Sequence, residues 1–348
     1  MSWPKVKLRN LVVANYGKAL KKEYRDENGL CSVFGSAGSV GFHAESLIDI
    51  QTIVVGRKGS VGKVIWAPNG GWIIDTAYYL TLIGDVSLDW RYLYYALQVA
   101  NLGQKTITTS IPGLNRDDFY ETEIPLPPLD EQKRIAAILD KADAIRQKRK
   151  QAIALADEFL HSVFLEMFGD IPAKVSPYPF VGCRGAVSAS SGKSSKSVIA
   201  DFKTEIPIYG GNGVNGYAHE FLYNEPVVVV GRVGQQCAIT NLTEGPCWVT
   251  DNAIVIKITD EKKYDAAYLA HAFIHSPIRN SVTQLDLPFI NQSMILDYPI
   301  PLPPIEEQRK FSAIRTKLKE HMSMHTAAFE QGEVQFNALS QKAFSGQL

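Results

Sequence analysis

The sequence predicts an α+β protein with two β-rich units in tandem repeat, separated by two long helices that pair antiparallel as a coiled coil with pseudo-two-fold symmetry. Three observations predict this architecture. The second half of the 348-residue chain repeats the first, each copy begins with glycine-rich turns and short β-branched runs, and each copy ends in a long helical stretch. The predicted segments are a β-rich unit at residues 1–128, a helix at 129–169, a second β-rich unit at 170–304 and a second helix at 305–348.

The internal repeat keeps an almost constant spacing along the whole chain. At an offset of 175 residues the matching segments are Gly17-Lys18 with Gly192-Lys193, and Val54-Val55-Gly56-Arg57 with Val229-Val230-Gly231-Arg232. At an offset of 176, after one inserted residue, they are Trp72 with Trp248, Asn115 with Asn291, and Pro125-Leu126-Pro127-Pro128 with Pro301-Leu302-Pro303-Pro304. So many matches at a nearly constant spacing are not chance, and the chain is therefore two copies of one unit.

The first part of each copy is predicted to be mainly β. Residues 52–55 and 226–230 are short runs rich in β-branched residues, typical of buried strands, and each is followed by a Gly-Arg turn. Residues 89–100 and 265–275 carry apolar and aromatic side chains at helical spacing, which predicts one helix against each sheet. The Pro-Leu-Pro-Pro segment that follows in each copy stops regular structure and forms a stiff exit.

The helical stretches predict a coiled coil. Residues 130–167 contain no glycine or proline and are dense in strong helix formers, and a helix of roughly 38 residues is about 57 Å long. Apolar residues recur there in a three-four alternation, which is the pattern of a heptad seam. The predicted seam residues are Ile135, Ile138, Ile145 and Phe159 in the first helix and Phe311, Ile314 and Leu318 in the second. The alternative is that these are two unrelated surface helices.

Composition limits the class of protein. The chain has 45% hydrophobic and 21% charged residues, no apolar run long enough to span a bilayer, and no secretory signal, so we expect a cytoplasmic protein. Its 4 cysteines form no Cys-x-x-Cys pair, which argues against a zinc ribbon. The 36 basic residues balance the 36 acidic ones, which is unusual for a protein that holds a polyanion unaided. If the chain binds DNA, a partner is expected to supply much of the positive field.

Several motifs resemble enzyme sites without their full pattern. Residues 211–216 fit G-x-G-x-x-G but lead into a predicted strand rather than a helix, and Gly192-Lys193-Ser194 lacks the upstream glycine of a phosphate loop. His271 and His275 have a zinc-binding spacing, yet Ala272 stands where a zinc protease has glutamate, so packed or surface histidines are favoured. The Asn-Pro-Pro-aromatic tetrapeptide of adenine methyltransferases does not occur. We therefore expect no catalytic residues, no cofactor and no metal.

The order of motifs resembles that of type I restriction-modification DNA-specificity subunits over the full chain. The segments that carry the resemblance are residues 124–135 and their copy at 300–310, the helix ending at 164–170, and residues 343–348. The resemblance implies that each β-rich unit is a target-recognition domain that reads one half of a bipartite DNA sequence. It also implies that the helices set the gap and dock methyltransferase subunits, two in number, and through them restriction subunits. The chain itself would be non-catalytic.

The repeat sorts candidate DNA contacts, because two domains on one polymer share phosphate contacts and differ where they read bases. The shared residues, candidates for phosphate contacts, are Lys18 with Lys193, Arg57 with Arg232, and Asn115 with Asn291. The residues that differ, candidates for base reading, are Lys58, Ser60, Lys63 and Arg116 in the first copy and Gln235, Gln236 and Gln292 in the second. For each shared residue, a solvated turn position is an equally good interpretation.

Two other classes of function stay open. A duplicated β unit on a coiled coil could be a protein-interaction scaffold without a nucleic-acid role, and the zero net charge favours that alternative slightly. A self-contained enzyme is disfavoured by the missing methyltransferase, ATP and nuclease motifs.

Overall fold

The computed structural model describes residues 3–105, 113–283 and 288–348. The chain divides into two compact units. Unit 1 comprises Met1–Gln151 together with Thr326–Leu348, and unit 2 comprises Ala152–His325. Each unit therefore contains part of both long helices. This grouping differs from the predicted four segments, in which each helix stands apart from the β-rich units.

Unit 1 is built on small β-sheets. Its strands are β1 Lys5–Lys7, β2 Val12–Tyr16, β3 Cys31–Gly35, β4 Gly38–His43, β5 Thr52–Gly56, β6 Val64–Ala67, β7 Trp72–Ile73, β8 Ala77–Leu82 and β9 Glu123–Pro125. The main sheet is antiparallel with the order β2-β8-β5-β6, a second has the order β4-β3-β7, and β1 pairs with β9. Every residue of β5 is buried, as its β-branched run predicts.

The helices of unit 1 cover the main sheet. They are α1 Trp90–Val99, α2 Arg116–Tyr120, the first part of α3 Leu129–Phe168 and the last part of the C-terminal helix Ile305–Ser345. The side chain of Asp89 accepts a hydrogen bond from the Tyr92 amide and so begins α1. One hydrophobic core joins Ile53 and Val55 of the sheet to Leu93 of α1 and Ile135 of α3. The helix thus packs directly into the core of the β-rich unit.

Unit 2 repeats this architecture. Its elements are β10 Phe180–Val181, β11 Val187–Ser191, β12 Pro207–Gly210, β13 Gly213–Tyr217, β14 Val228–Gly231, β15 Thr240–Leu242, β16 Trp248–Val249, β17 Ala253–Ile258, α4 Ala266–Ile274, α5 Ile278–Thr283, α6 Gln292–Asp297, β18 Ile300–Pro301 and α7 Ile305–Ser345. The sheet orders are β11-β17-β14-β15, β13-β12-β16 and β10-β18, strand for strand those of unit 1. The structure confirms the predicted tandem repeat of β-rich units and the two long helices.

A buried glutamine fixes the start of each long helix. Gln132 is almost fully buried, and its side-chain oxygen accepts a hydrogen bond from the Asp89 amide at 2.8 Å. Its side-chain nitrogen donates to the carbonyls of Pro127 and Ser87 at 2.9 and 3.2 Å. The side chain thereby connects α3, the Pro-rich exit and the beginning of α1.

Unit 2 contains the same arrangement. Gln308 accepts from the Asp265 amide at 2.9 Å and donates to the carbonyls of Pro303 and Lys263, both at 2.8 Å. In both units a tyrosine of the preceding helix also donates to the exit, Tyr92 to the Pro125 carbonyl and Tyr268 to the Pro301 carbonyl. The repeated glutamine and the Pro-Leu-Pro-Pro motif are therefore parts of one joint.

The two long helices run antiparallel inside unit 1. Arg134 donates to the Leu348 carbonyl, Arg146 pairs with Glu333 at 3.2 Å, and Arg149 donates to the Ala328 carbonyl at 2.7 Å. Because the partner's number falls as the α3 number rises, the two segments run in opposite directions. In unit 2 the other ends of α3 and α7 meet, where Phe164 and Phe168 pack on Phe311.

The seam of α3 differs in part from the predicted one. Ile135 and Phe311 are buried and Ile138, Ile314 and Leu318 are partly buried, but Ile145 is 53% exposed and Phe159 54% exposed. Placing those two in the seam was wrong. The face of α3 turned away from solvent follows residues 135, 139, 142, 146, 149, 153, 156 and 160.

The predicted stripe (135, 138, 145 and 159) and the observed stripe both include Ile135. The apolar pattern alone selects the first, because the observed stripe includes the charged residue Arg146. The guanidinium of Arg146 lies 4.4 Å from the Phe336 ring centre and pairs with Asp143 and Glu333. A cation so partnered is accommodated in a seam. Among the described residues, no helix is long and apolar enough to cross a membrane.

We expect Gln132→Leu to weaken unit 1 by about 3 kcal/mol, because the substitution leaves the Asp89 amide and two carbonyls without their buried partner. Native-state hydrogen exchange of the α1 amides measures this as a lower free energy of opening. The matched control is Gln151→Leu, an exposed position on the same helix, which should stay within about 0.5 kcal/mol of the unchanged protein. Equal effects of the two substitutions would contradict the role assigned to the joint.

Candidate functional site

The turns after β5 and after β14 are held by equivalent backbone hydrogen bonds, which we call the backbone frame. In unit 1 the Arg57 amide donates to the Thr76 carbonyl at 2.9 Å, and the Arg57 carbonyl accepts from the Leu114 amide at 2.9 Å. In unit 2 the Arg232 amide donates to the Asn252 carbonyl at 3.1 Å, and its carbonyl accepts from the Ile290 amide at 2.9 Å. The repeated arginines are therefore held against equivalent segments.

Glycine is required beside these turns. A Cβ on Gly56 would lie 2.1 Å from the Ser60 carbonyl oxygen, and one on Gly231 would lie 2.0 Å from that of Gln236. Each turn folds back so closely on its strand that a side chain has no room. The repeat of glycine before arginine is therefore explained in part by this lack of space. The tight turn also holds the arginine backbone at the same position in both units.

The repeated Gly-Lys pair also occupies one frame in both units. The Lys18 amide donates to the Ile73 carbonyl at 2.8 Å, and the Lys18 carbonyl accepts from the Trp72 indole at 2.9 Å. The same bonds in unit 2 join Lys193 to Val249 and Trp248, at 2.9 and 3.0 Å. Both lysine side chains are exposed, and the Lys18 ammonium lies 5.8 Å from the ring centre of Trp72.

Aromatic and cationic side chains come together over the unit 1 turn. The guanidinium groups of Arg57 and Arg116 lie 5.2 and 5.1 Å from the ring centre of Tyr16, which itself is 5.2 Å from that of Tyr78. Burial and the neighbouring Tyr16 raise the pKa of Tyr78 to about 12, against the opposing effect of the two arginines. Tyr78 is therefore a neutral phenol at pH 7, and it donates to the Leu114 carbonyl.

The equivalent positions in unit 2 carry different side chains. Ser191 stands in place of Tyr16, Ile254 in place of Tyr78 and Gln292 in place of Arg116, whereas Arg232 matches Arg57. These four residues line one shallow pocket together with Asn291 and Ser293. The same backbone frame thus carries two arginines and two tyrosines in unit 1, and one arginine with smaller or uncharged side chains in unit 2.

The repeated asparagines have a structural role. The side-chain oxygen of Asn115 accepts from the Asp117 amide at 3.1 Å and begins α2, and that of Asn291 accepts from the Met294 amide at 2.9 Å and begins α6. Capping explains why both copies carry asparagine here. Both residues are exposed, and a contact with phosphate stays a prediction.

The other predicted base-reading residues lie on the two turns and are exposed. In unit 1 these are Lys58, Ser60 and Lys63. Lys58 forms a β-bridge with Gly113, and the Lys63 ammonium donates to the Ala37 carbonyl at 2.6 Å. In unit 2, Gln236 lines a second pocket beside Asn212 and Asn215, and the Gln235 carbonyl accepts from Arg279 at 3.2 Å.

Sequence reasoning missed Tyr16, Tyr78, Ser191 and Ile254. These residues lie in strands β2, β8, β11 and β17, far in sequence from the turns they face. The only signal for them was that equivalent positions of the two copies differ.

The comparisons with known proteins agree on one family. The family model for the "Type I restriction modification DNA specificity domain" matches residues 2–155 and again residues 187–328. The chain belongs to this family. Specificity subunits are the non-catalytic members of type I restriction systems, and this agrees with the expectation that the chain has no catalytic centre of its own.

Two curated relatives are specificity subunits. The chain is 27% identical over 124 residues to the type I restriction enzyme EcoprrI specificity subunit of Escherichia coli, a match that covers 35% of this chain and 30% of that protein. It is 24% identical over 311 residues to the MjaVIII specificity subunit of Methanocaldococcus jannaschii, covering 76% of this chain and 71% of that one. The chain thus matches less than a third of the length of the first relative.

A solved structure has the same fold. The type I restriction-modification S subunit from M. genitalium superposes with a TM-score of 0.69 at 21% sequence identity, over 99% of this chain and 96% of that one. The similarity extends through both domains and both long helices, and it confirms the predicted fold class.

We expect Gly192→Ala to destabilise unit 2 by about 2 kcal/mol, because a Cβ there would lie 2.2 Å from the Thr250 carbonyl oxygen and force the Lys193 turn away from β16. Gly216→Ala is the control, since the nearest atom to its Cβ is a side-chain carbon of Ile208 at 3.7 Å. Urea unfolding of the two variants measures the difference. If alanine were tolerated equally at both positions, the turn would not depend on its glycine.

Proposed function

We propose that this chain is the DNA-specificity subunit of a type I restriction-modification complex, in which each unit reads one half of a bipartite DNA target. We propose further that it docks two methyltransferase subunits and, through them, restriction subunits. The observation that carries the proposal is the single backbone frame, present in both units, that holds a common arginine among different neighbours.

Phosphate contacts are independent of sequence, so two domains on one duplex can use the same cation at the same place. Arg57 and Arg232 meet this requirement, because their backbone bonds are equivalent while their side chains lie at the surface of a pocket or an aromatic patch. Lys18 and Lys193 have equally matched frames. These four cations are the proposed phosphate contacts.

Base reading requires side chains that differ between the units, and the frame provides them. Arg116 is suited to the paired acceptors of guanine, and Gln292 at the equivalent position is suited to adenine. Tyr16 adds an aromatic edge that Ser191 lacks. The proposal therefore assigns different half-sites to the two units, with the remaining polar residues of the turns, Lys58, Ser60, Lys63, Gln235 and Gln236, as further candidates.

The balance of 36 basic and 36 acidic residues supports a division of labour between subunits. A chain without net charge gains little from long-range attraction to DNA, so the methyltransferase partners would add the cationic surface that closes around the duplex. Ile145 and Phe159, exposed on α3, are candidates for contacts with those partners. The complex would act where the DNA is, in the cytoplasm.

The first test is an exchange of unit 1 with that of a related subunit of different specificity. The core of unit 1 includes Phe336 and Ala343 of α7, so the exchange takes residues 1–151 and 326–348 together. Methylation mapping of DNA from cells carrying the hybrid and its methyltransferase should report one changed half-site and one unchanged half-site.

A hybrid that changed both halves would show that the units read DNA jointly. A hybrid that assembled with the methyltransferase yet gave no DNA-sequence preference, like the parent chain, would favour the protein-interaction scaffold.

A second test concerns the shared cations. Arg57→Gln and Arg232→Gln should weaken DNA binding by the chain with its methyltransferase partner equally for cognate and non-cognate sequences. Each should lower the slope of log K against log salt by about 1, the value for one lost phosphate contact. Lys5→Gln, an exposed substitution in β1 of unit 1, is the charge-matched control and should leave the slope unchanged. Loss of binding to only one base sequence would instead make the arginine a base contact.

A further inference from the structure

Three histidines meet in unit 2, outside the turns described above. His161 is on α3, His271 is on α4 and His275 follows the last residue of α4. Each offers one ring nitrogen, and these three nitrogens lie within 4.8 Å of one another. The sequence indicated only the pair on α4, because His161 is 110 residues away and joins it through the packing of α3 on α4.

The packing leaves ring nitrogens without partners. Nδ1 of His161 and Nε2 of His271 are shielded from solvent and make no hydrogen bond. The His271 side chain as a whole is buried, with 7% of its surface exposed. A buried polar atom without a partner is unfavourable, and such atoms are uncommon in folded proteins. Both belong to the same three-residue group. A ligand that accepted their lone pairs would remove this cost.

Burial keeps the imidazoles of His271 and His275 uncharged at neutral pH. Phe164 and Phe311 lie 4.8 and 4.9 Å from the His271 ring, and burial together with the neighbouring histidines lowers the pKa of His271 to about 3. Burial and His161 lower the pKa of His275 to about 4. The charged side chain whose field reaches His271 is Arg315 of α7, which itself interacts with Glu244 and Asp265.

We propose that His161, His271 and His275 form a binding site for a divalent transition-metal ion, with Zn²⁺ as the probe ion, that joins α3 to α4. Neutral imidazole nitrogens are good ligands for zinc, and three of them with one water complete a tetrahedral site. Since His161 and His275 are only partly buried, the ion and its water reach the site from solvent.

The side chains must move slightly to bind. Zinc-to-nitrogen bonds of about 2.0 Å in a tetrahedron bring ligand nitrogens to about 3.4 Å apart, so the group contracts by roughly 1 Å. The rings of His161 and His275 are stacked at 3.9 Å between centres and would turn apart as their lone pairs converge.

Metal binding would strengthen unit 2. Because the ligands come from α3 and α4, an ion that binds the folded arrangement and not the unfolded chain raises stability in proportion to the logarithm of its concentration. The site would thus fasten a long helix to the β-rich unit at a place where hydrogen bonds are missing.

The experiment uses the full chain without an affinity tag, stripped with EDTA and titrated with ZnCl₂ by calorimetry. We expect one equivalent to bind, the melting temperature to rise with Zn²⁺ and to fall again with EDTA, and Co²⁺ to give the visible absorption of a tetrahedral nitrogen-ligated site. His161→Gln and His275→Gln should each abolish the saturable binding and the thermal response. Circular dichroism establishes that each variant is folded.

The matched control is the double substitution His321→Gln with His325→Gln. His321 and His325 are four residues apart, as His271 and His275 are, but both are exposed and belong to no three-histidine group found among the described residues. The double variant should bind Zn²⁺ as the unchanged chain does. The proposal is overturned if the unchanged chain binds no Zn²⁺ stoichiometrically, or if binding survives in folded His161→Gln and His275→Gln.

Discussion

The joint made by Gln132 and Gln308 is the constraint on which the rest of the structure depends. Each side chain satisfies three backbone groups that belong to the helix before the Pro-rich exit, to the exit itself and to the segment leading into that helix. A helix of 40 residues would otherwise pivot about its first turn. Because the glutamine is buried, any pivoting would strand polar groups away from water. The direction of each long helix is therefore set by its own unit.

The two units share a backbone frame but differ in the side chains that it carries. The backbone bonds of Arg57 and Arg232, the tight glycine approach beside them and the asparagine cap nearby are common to both units. Side chains above that frame can differ, because the bonds that define it join main-chain atoms. Tyr16 and Ser191 can occupy one position without altering the strands beneath. A DNA-specificity domain benefits from such a separation between the supporting backbone and the variable side chains.

The sequence predicted the duplicated fold well because repeats, prolines and glycine-free helical stretches are local signals. It predicted the helix seam less well, since two heptad stripes share Ile135 and only the packed structure shows that Arg146 is accommodated beside Phe336. The candidate site was found in part. Its turns are contiguous in sequence, but Tyr16 and Tyr78 reach them through strand pairing, and His161 reaches His271 through helix packing. Contacts of that kind leave no local pattern in the sequence, and for the tyrosines the only signal was the difference between the two copies.

Unit 2 is formed by one continuous segment of the chain, whereas unit 1 is formed by two. Unit 2 is continuous, Ala152–His325, whereas unit 1 requires Thr326–Leu348 and takes Phe336 and Ala343 into its core. During synthesis the ribosome therefore releases every residue of unit 2 before it releases the last parts of unit 1. The β-rich part of unit 1 emerges first and closes its core last, with an apolar face of α1 and α3 open in the interval. Unit 1 therefore stays incomplete until residues 326–348 have emerged.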